Sequence, residues 1–479
     1  MKNNNYQQLT RTFQRLSRFS HLSSIASWDM FTMMPPGGSA ARGEALAEMS
    51  VLQHQILTDK KVGEWLAAAA EEDLNDVEQA NLREMTRHYQ QATLLPESLV
   101  EAKSLAGSRC EHAWRTQRPA NDWQGFSANL KEVVKLSREE ARLRAEAKGC
   151  TPYDALLDIF EPDMSSARLD VLFGDLKSWL PELLAKVVEK QAQRSFVPPQ
   201  GPFPTATQRE LGLEAMKMLG FDFNGGRLDV SAHPFCGGVP EDVRITTRYD
   251  EDELLSALFG VIHETGHARY EQNLPRAWAG QPVALARSTA IHESQSLFFE
   301  MQLGRSEAFL KHLLPAVHAR FGSQAAFSEE NFIAWNQRVK PGYIRVDADE
   351  VSYPAHVVLR YEIERALING EIEVDDIPRY GMRKCRPGLD YPPEITTATA
   401  VCRTSTGPTA VLATSRLTRW GQCMRHSCFM PPKLRCPGCR HPLPGAISRR
   451  YLTGCVRISG STAAVSARRS SSPRPQVKI

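Results

Sequence analysis

His263-Glu264-Thr265-Gly266-His267 sets two imidazoles four residues apart, with a carboxylate directly after the first. On a helix, positions i and i+4 share a face one turn apart, so both rings can reach a single metal ion. Glu264 is then placed to act as general base on a water that the metal polarises. The chemistry implied is metal-assisted hydrolysis. The competing reading is a chance helical pentapeptide with a solvated glutamate. A catalytic zinc site usually has three protein ligands and an open position. No third histidine follows at the spacing of three-histidine sites, where Asn273 and its neighbours stand instead. The best third candidate is Glu293, in Ala290-Ile291-His292-Glu293-Ser294-Gln295-Ser296, opening a second helix that continues through Leu297, Phe298 and Phe299. The bland role for Glu293 is to cap that helix.

The elements that must hold these side chains follow from periodicity. Asp250-Glu251-Asp252-Glu253 reads as an acidic first turn, and Leu254, Leu255, Ala257, Leu258, Val261 and Ile262 continue it at helical spacing. Before it, Val243, Ile245 and Thr247 alternate with Arg244, Thr246 and Arg248, the pattern of a strand. That strand is read as edge-like, able to pair with an extended substrate backbone. Upstream, Leu66, Leu74, Val77, Ala80 and Leu82 form one amphipathic stretch, and Leu130, Val133, Val134, Leu136, Leu143 and Ala145 form another. Met34-Pro35-Pro36-Gly37-Gly38 breaks one such run, and Val197-Pro198-Pro199-Gln200-Gly201-Pro202 is a linker or sharp turn. No fixed-period repeat is present, which argues against a solenoid. The expected fold class is mostly α with a small β-sheet beside the active site.

Composition sets the outer bounds. The 479 residues are 42% hydrophobic and 24% charged, ordinary for a soluble globular protein and unlike a collagen-like, disordered or disulfide-scaffold chain. No apolar run approaches the roughly 20 residues needed to span a bilayer. The polar start Met1-Lys2-Asn3-Asn4-Asn5-Tyr6-Gln7-Gln8 has no signal-peptide core behind it. A cytoplasmic protein without a membrane partner is expected. The net charge of +3 hides a break. From Gly381 to Ile479 there are 17 Lys and Arg against two acids, Asp390 and Glu394, whereas residues 1–380 carry 41 basic and 53 acidic side chains. Seven of the ten cysteines also lie in that tail: Cys385, Cys402, Cys423, Cys428, Cys436, Cys439 and Cys455.

Several motifs in the body resemble those of the thermostable (Taq-type) carboxypeptidase family of metallopeptidases. They are His233-Pro234-Phe235, Asp242-Val243-Arg244-Ile245-Thr246, the helix of His263 and His267, His292-Glu293-Ser294-Gln295, and Ile344-Arg345-Val346-Asp347-Ala348-Asp349. Ser27-Trp28-Asp29, Met34–Gly38 and Ala41-Arg42-Gly43-Glu44 look like that family as well. The similarity covers about residues 6–378. It implies one divalent ion, zinc with cobalt as alternative, held by His263, His267 and Glu293, with Glu264 as catalytic acid and base. It also implies a large helical zincin-type groove fold, a homodimer, and peptide substrates shortened from the C-terminus. An exopeptidase must bind a free carboxylate, and the arginine fork suits this geometrically. Arg345 and Arg244 are the candidates, with Asp242, Thr246 and His233 completing the substrate-binding set. The alternative for the two arginines is structural ion pairing with Asp347 and Asp242.

The resemblance is read as ending after Asp375-Asp376-Ile377-Pro378, which divides the chain into a catalytic domain, 1–378, and an aberrant tail, 379–479. The family continues with helices and a GxxQ motif, but Arg379–Cys385 reads as lacking helical periodicity. Read one frame over, suitable codons for Pro378–Cys385, Ala400–Thr406 and Ala410–Lys433 spell family-like text. The tail is therefore read as frameshifted and poorly packed. Its functional alternative is Cys423-x4-Cys428-x7-Cys436-x2-Cys439, a zinc ribbon whose basic surroundings would bind nucleic acid. The frameshift reading makes that nucleic-acid partner the weaker expectation. A catalytically dead metal-binding protein is the remaining rival, because the GxxQ segment is replaced.

Overall fold

A computed structural model of the chain describes residues 4–118, 120, 122–342 and 348–385. Arg345, Asp347, the tail beyond Cys385 and the four-cysteine pattern lie outside the described residues. Among those described, helices dominate. The helices α1 (Asn5–Thr32), α2 (Ser39–Thr58), α3 (Lys60–Ala69) and α4 (Asp76–Thr93) come first. They are followed by α5 (Glu97–Gln117), α6 (Trp123–Lys148), α7 (Pro152–Phe160), α8 (Ser166–Gln191) and α9 (Thr205–Met218). Three strands intervene, β1 (Gly226–Val230), β2 (Cys236–Val239) and β3 (Asp242–Thr247). The helices then resume as α10 (Leu254–Gln272), α11 (Thr289–Leu297), α12 (Glu307–Phe321), α13 (Glu329–Asn336), α14 (Tyr353–Ile368) and α15 (Ile377–Cys385). No helix among the described residues is long and apolar enough to cross a membrane.

Apolar faces sort these helices into packed groups. Tyr6, Leu9, Phe13, Val62, Leu66 and Met85 bring α1, α3 and α4 together. Leu130, Val134, Leu157, Phe173, Val357 and Tyr361 join α6, α7, α8 and α14. Leu211, Ile262, Phe309, Leu313 and Phe332 join α9, α10, α12 and α13. Each such Leu, Ile or Phe contributes roughly 1.5–3 kcal/mol on full burial. Val243 and Ile245 of β3 pack with Val261 and Ala268, so α10 is enclosed by the sheet as well as by helices. An element buried this way can hold side chains in fixed rotamers.

Four details differ from the sequence reading. The stretch from Leu66 to Leu82 is two helices, because Asn75 and Glu78 form a reciprocal capping box that starts α4 afresh. The acids Asp250–Glu253 precede α10 rather than form its first turn, and Glu253 caps it. The strand β3 is central, not an edge: the order is β1-β3-β2, with β1 parallel and β2 antiparallel to it. Its backbone groups are spent on both neighbours, so it offers no ladder to a substrate. Finally, α15 runs through Arg379–Cys385. Ile377 and Gly381 stand one turn apart and face inward, Gly381 against Ile363 of α14.

Candidate metal centre

The site is built where α10 meets α11. Glu253 accepts hydrogen bonds from Leu255 N at 3.4 Å and Ser256 N at 2.7 Å, which fixes the start of α10. One and a half turns after Val261, Gly266 lies against the backbone of α11. A Cβ on Gly266 would stand 2.5 Å from Ser296 Cα and 2.7 Å from Gln295 O, so only glycine permits this approach. The start of α11 is anchored in turn. Ser288 is its cap, accepting from Ile291 N at 3.1 Å, and the buried Glu161 accepts from Ser288 Oγ at 2.7 Å and Ala290 N at 3.1 Å. With Ser288 in that role, Glu293 is not the cap and its carboxylate turns to α10.

His263, His267 and Glu293 converge. His267 Nε2 lies 3.2 Å from Glu293 Oε2, and His263 Nε2 lies 4.0 Å from Glu293 Oε1. One donor atom from each residue falls within 4.8 Å of the other two. An ion about 2 Å from three tetrahedrally placed atoms needs them about 3.3 Å apart, close to these separations. Two imidazoles and a carboxylate suit zinc and its neighbours among the divalent transition metals. Tyr353 OH donates to Glu293 Oε1 at 3.4 Å. Glu264, 5% exposed, is buried on the same helix beside the first histidine. These residues fit a divalent cation.

The Nδ1 atom of each imidazole is held from behind. His263 Nδ1 lies 2.8 Å from Glu300 Oε2, and Arg305, its guanidinium 4.2 Å over the Phe259 ring, approaches Glu300 Oε1 at 3.5 Å. His267 Nδ1 lies 2.7 Å from His292 Nδ1. Holding Nδ1 leaves Nε2 to face the ion, the arrangement found behind metal-bound histidines generally. The electrostatics agree. Burial opposes charge on His263, but Glu300, Glu293 and Glu264 overcome it and push its pKa up to about 9. Burial, with His292 and His263 close by, holds His267 well below the usual imidazole range despite Glu293. Glutamates packed this closely call for positive charge, which a proton on His263 or a metal ion can provide.

The expected substrate residues divide into two groups. His233 and Thr246 belong together. Ser231 Oγ donates to His233 O at 2.5 Å and lies 2.7 Å from Thr246 Oγ1, while Phe235 N donates to Thr246 Oγ1 at 3.0 Å. Pro234 seats this turn over Gly260, one turn before His263 on α10. Simple alternation would expose Thr246; it is buried because this polar turn closes over it. Arg244 and Asp242 lie at the other end of β3. Arg244 Nε and Nη2 donate to the Asp242 carboxylate at 2.9 and 2.6 Å, and the guanidinium stacks 4.7 Å over Trp28 of α1. The pairing of Arg244 with Asp242, weighed as the structural alternative, is present. It holds the Asp242 carboxyl below its ordinary range.

Glu161, Glu300 and Tyr353 were not singled out from the sequence. Glu300 carried a faint signal, since it follows Glu293 by seven residues along a continuing helix and so returns to the same face. Nothing local marks Glu161 or Tyr353, which reach the site from other parts of the chain.

The carboxypeptidase Taq (M32) metallopeptidase family model matches residues 8–398, past the Pro378 boundary drawn from sequence. Thermostable carboxypeptidase 1 of Thermus thermophilus is 38% identical over 402 residues, covering 81% of this chain and 79% of that protein. Carboxypeptidase 1 of Bacillus subtilis is 34% identical over 390 residues, covering 80% and 76%. Among solved structures, Trypanosoma cruzi metallocarboxypeptidase 1 superposes with a TM-score of 0.80 at 42% identity, covering 96% of this chain and 91% of that one.

Proposed function

The chain belongs to the carboxypeptidase Taq (M32) metallopeptidase family, and from that premise we propose a zinc-dependent enzyme that releases C-terminal residues from peptides. The observation that carries this is the convergence of His263, His267 and Glu293 beside the buried Glu264. A bound divalent cation, zinc or alternatively cobalt, supplies Lewis acidity that polarises water and the scissile carbonyl. Glu264 takes the proton of the attacking water and returns it to the leaving amine. Tyr353 and the residues behind the imidazoles keep the ligands oriented. Arg345 binds the substrate carboxylate, with Arg244, held by Asp242, as the second candidate for that role. His233 and Thr246 shape the wall over α10. The active form is a homodimer in the cytoplasm.

The altered tail weakens this chain. Catalysis needs substrate held in register and charge stabilised as it develops, and losing one stabilising donor typically costs about 10²–10³ in rate. A test compares short peptides with free and amidated C-termini, using this chain and a frame-restored version. Hydrolysis of free-ended peptides only, faster in the restored version, is the expected result. Cleavage of amidated peptides by the restored version would overturn the exopeptidase assignment. Equal rates for both proteins would overturn the damage argument.

A further inference from the structure

Behind His267 the polar contacts continue into a chain that ends near solvent. His267 Nδ1 meets His292 Nδ1 at 2.7 Å, and His292 Nε2 meets Glu271 Oε1 at 2.7 Å. The first and last members both belong to α10, four residues apart, and His292 reaches back to them from α11. The two imidazoles lie 4.7 Å apart, and Tyr270 packs edge-on against His292 at 4.9 Å, so the His292 ring is held in place. Side-chain exposure rises along the chain, from 6% at His267 to 14% at His292 and 23% at Glu271.

Hydrogen bonding permits one arrangement that also serves a metal. If His267 presents its Nε2 lone pair to an ion, its single proton is on Nδ1. The contact with His292 then requires a lone pair on His292 Nδ1, which puts the proton of His292 on Nε2. That proton needs an acceptor, and Glu271 Oε1 is there. We propose that His292 and Glu271 form a positioning pair that fixes His267 in the tautomer presenting Nε2 to the metal. The acceptor at Glu271 selects the tautomer of His292, and His292 selects that of His267. Neither residue touches the ion. The proposal rests on the metal-centre reading above but not on which peptide is cleaved.

The experiment uses the full chain with Zn²⁺ alone as probe, its dissociation constant measured by competition with a chromophoric chelator. His292→Phe is expected to weaken zinc binding by about 10–100-fold, the range for loss of a residue orienting a metal ligand. Glu271→Ala should weaken it too, while Glu271→Gln, which keeps an acceptor oxygen, should stay within about threefold of the parent. Because the two act in series, adding Glu271→Ala to His292→Phe should cost nothing further. Parental affinity in His292→Phe, or an undiminished effect of Glu271→Ala in its background, would overturn the proposal. If His292→Phe fails to fold, Glu271→Ala against Glu271→Gln decides it, and equal affinities there would overturn the proposal. A parent chain that binds no zinc would overturn the metal-centre reading itself, an outcome distinct from any difference among variants.

Discussion

Glu264 and the histidines flanking it illustrate what one residue contributes to a site it shares. Replacing Glu264 by Gln keeps its size and removes its basicity. The expected outcome is a kcat/KM lower by about 10²–10⁴, the usual range for a general base, with zinc content by elemental analysis unchanged. Loss of zinc alongside activity would move Glu264 from base to ligand. The Asp242–Arg244 pair allows a test by pH. Arg244 lowers the folded pKa of Asp242 below its ordinary value of 3.8, so the pair stabilises above that value and loses its effect as pH falls through the lowered one. The pair is partly exposed, so Asp242→Asn should cost under about 1 kcal/mol at neutral pH, a gap that closes on acidification. Urea melts at pH 7 and pH 3 would read it. At this scale the sequence was informative wherever partners are close in sequence. His263 and His267 were legible because helical geometry alone puts them together. Glu293 was named as the third ligand from its own motif on the next helix, although no spacing rule joins it to the histidines, because those partners lie across a helix contact. Glu161 and Tyr353 were invisible for that reason.

Helices and strands were read by period, and the period fails where caps or neighbours intervene. The run from Leu66 to Leu82 kept its apolar spacing across a break that only the Asn75 and Glu78 side chains reveal. In β3 the alternation identified a strand correctly, but strand order is a property of the sheet. β1 is short, its Leu228 and Val230 alternating with Arg227 and Asp229 over only five residues, and β2 holds two glycines, so the sequence did not announce that β3 was enclosed. Gly266 is the element-scale position with the sharpest consequence. Gly266→Ala would drive a methyl group into the backbone of α11, which must shift. A loss of about 1–3 kcal/mol is expected from overpacking, together with weaker zinc binding as Glu293 is moved away. Thermal unfolding and chelator competition would separate the two effects. Unchanged stability and affinity would mean that the helices are less closely held than the contact implies.

At the scale of the whole molecule, mostly helical architecture followed from composition and periodicity, while the placement of the helices around α10 did not. A metal ion bridging two helices binds the folded chain and not the unfolded one. Zinc at 100 times its dissociation constant should therefore stabilise by about 2.7 kcal/mol, raising Tm in a concentration-dependent way that EDTA reverses. A zinc-independent Tm would contradict the bridging role. The close meeting of α10 and α11 has one more consequence. Between His267 and Glu293 the chain departs through residues 273–288 and returns, so coordination at both ends closes a ring, a reversible counterpart of a disulfide loop. Occupancy should then govern how often that excursion opens. Arg276, about half exposed within it, offers a trypsin site. Cleavage there should be slow with zinc bound and faster after chelation, making the loop a gauge of whether the ring is shut.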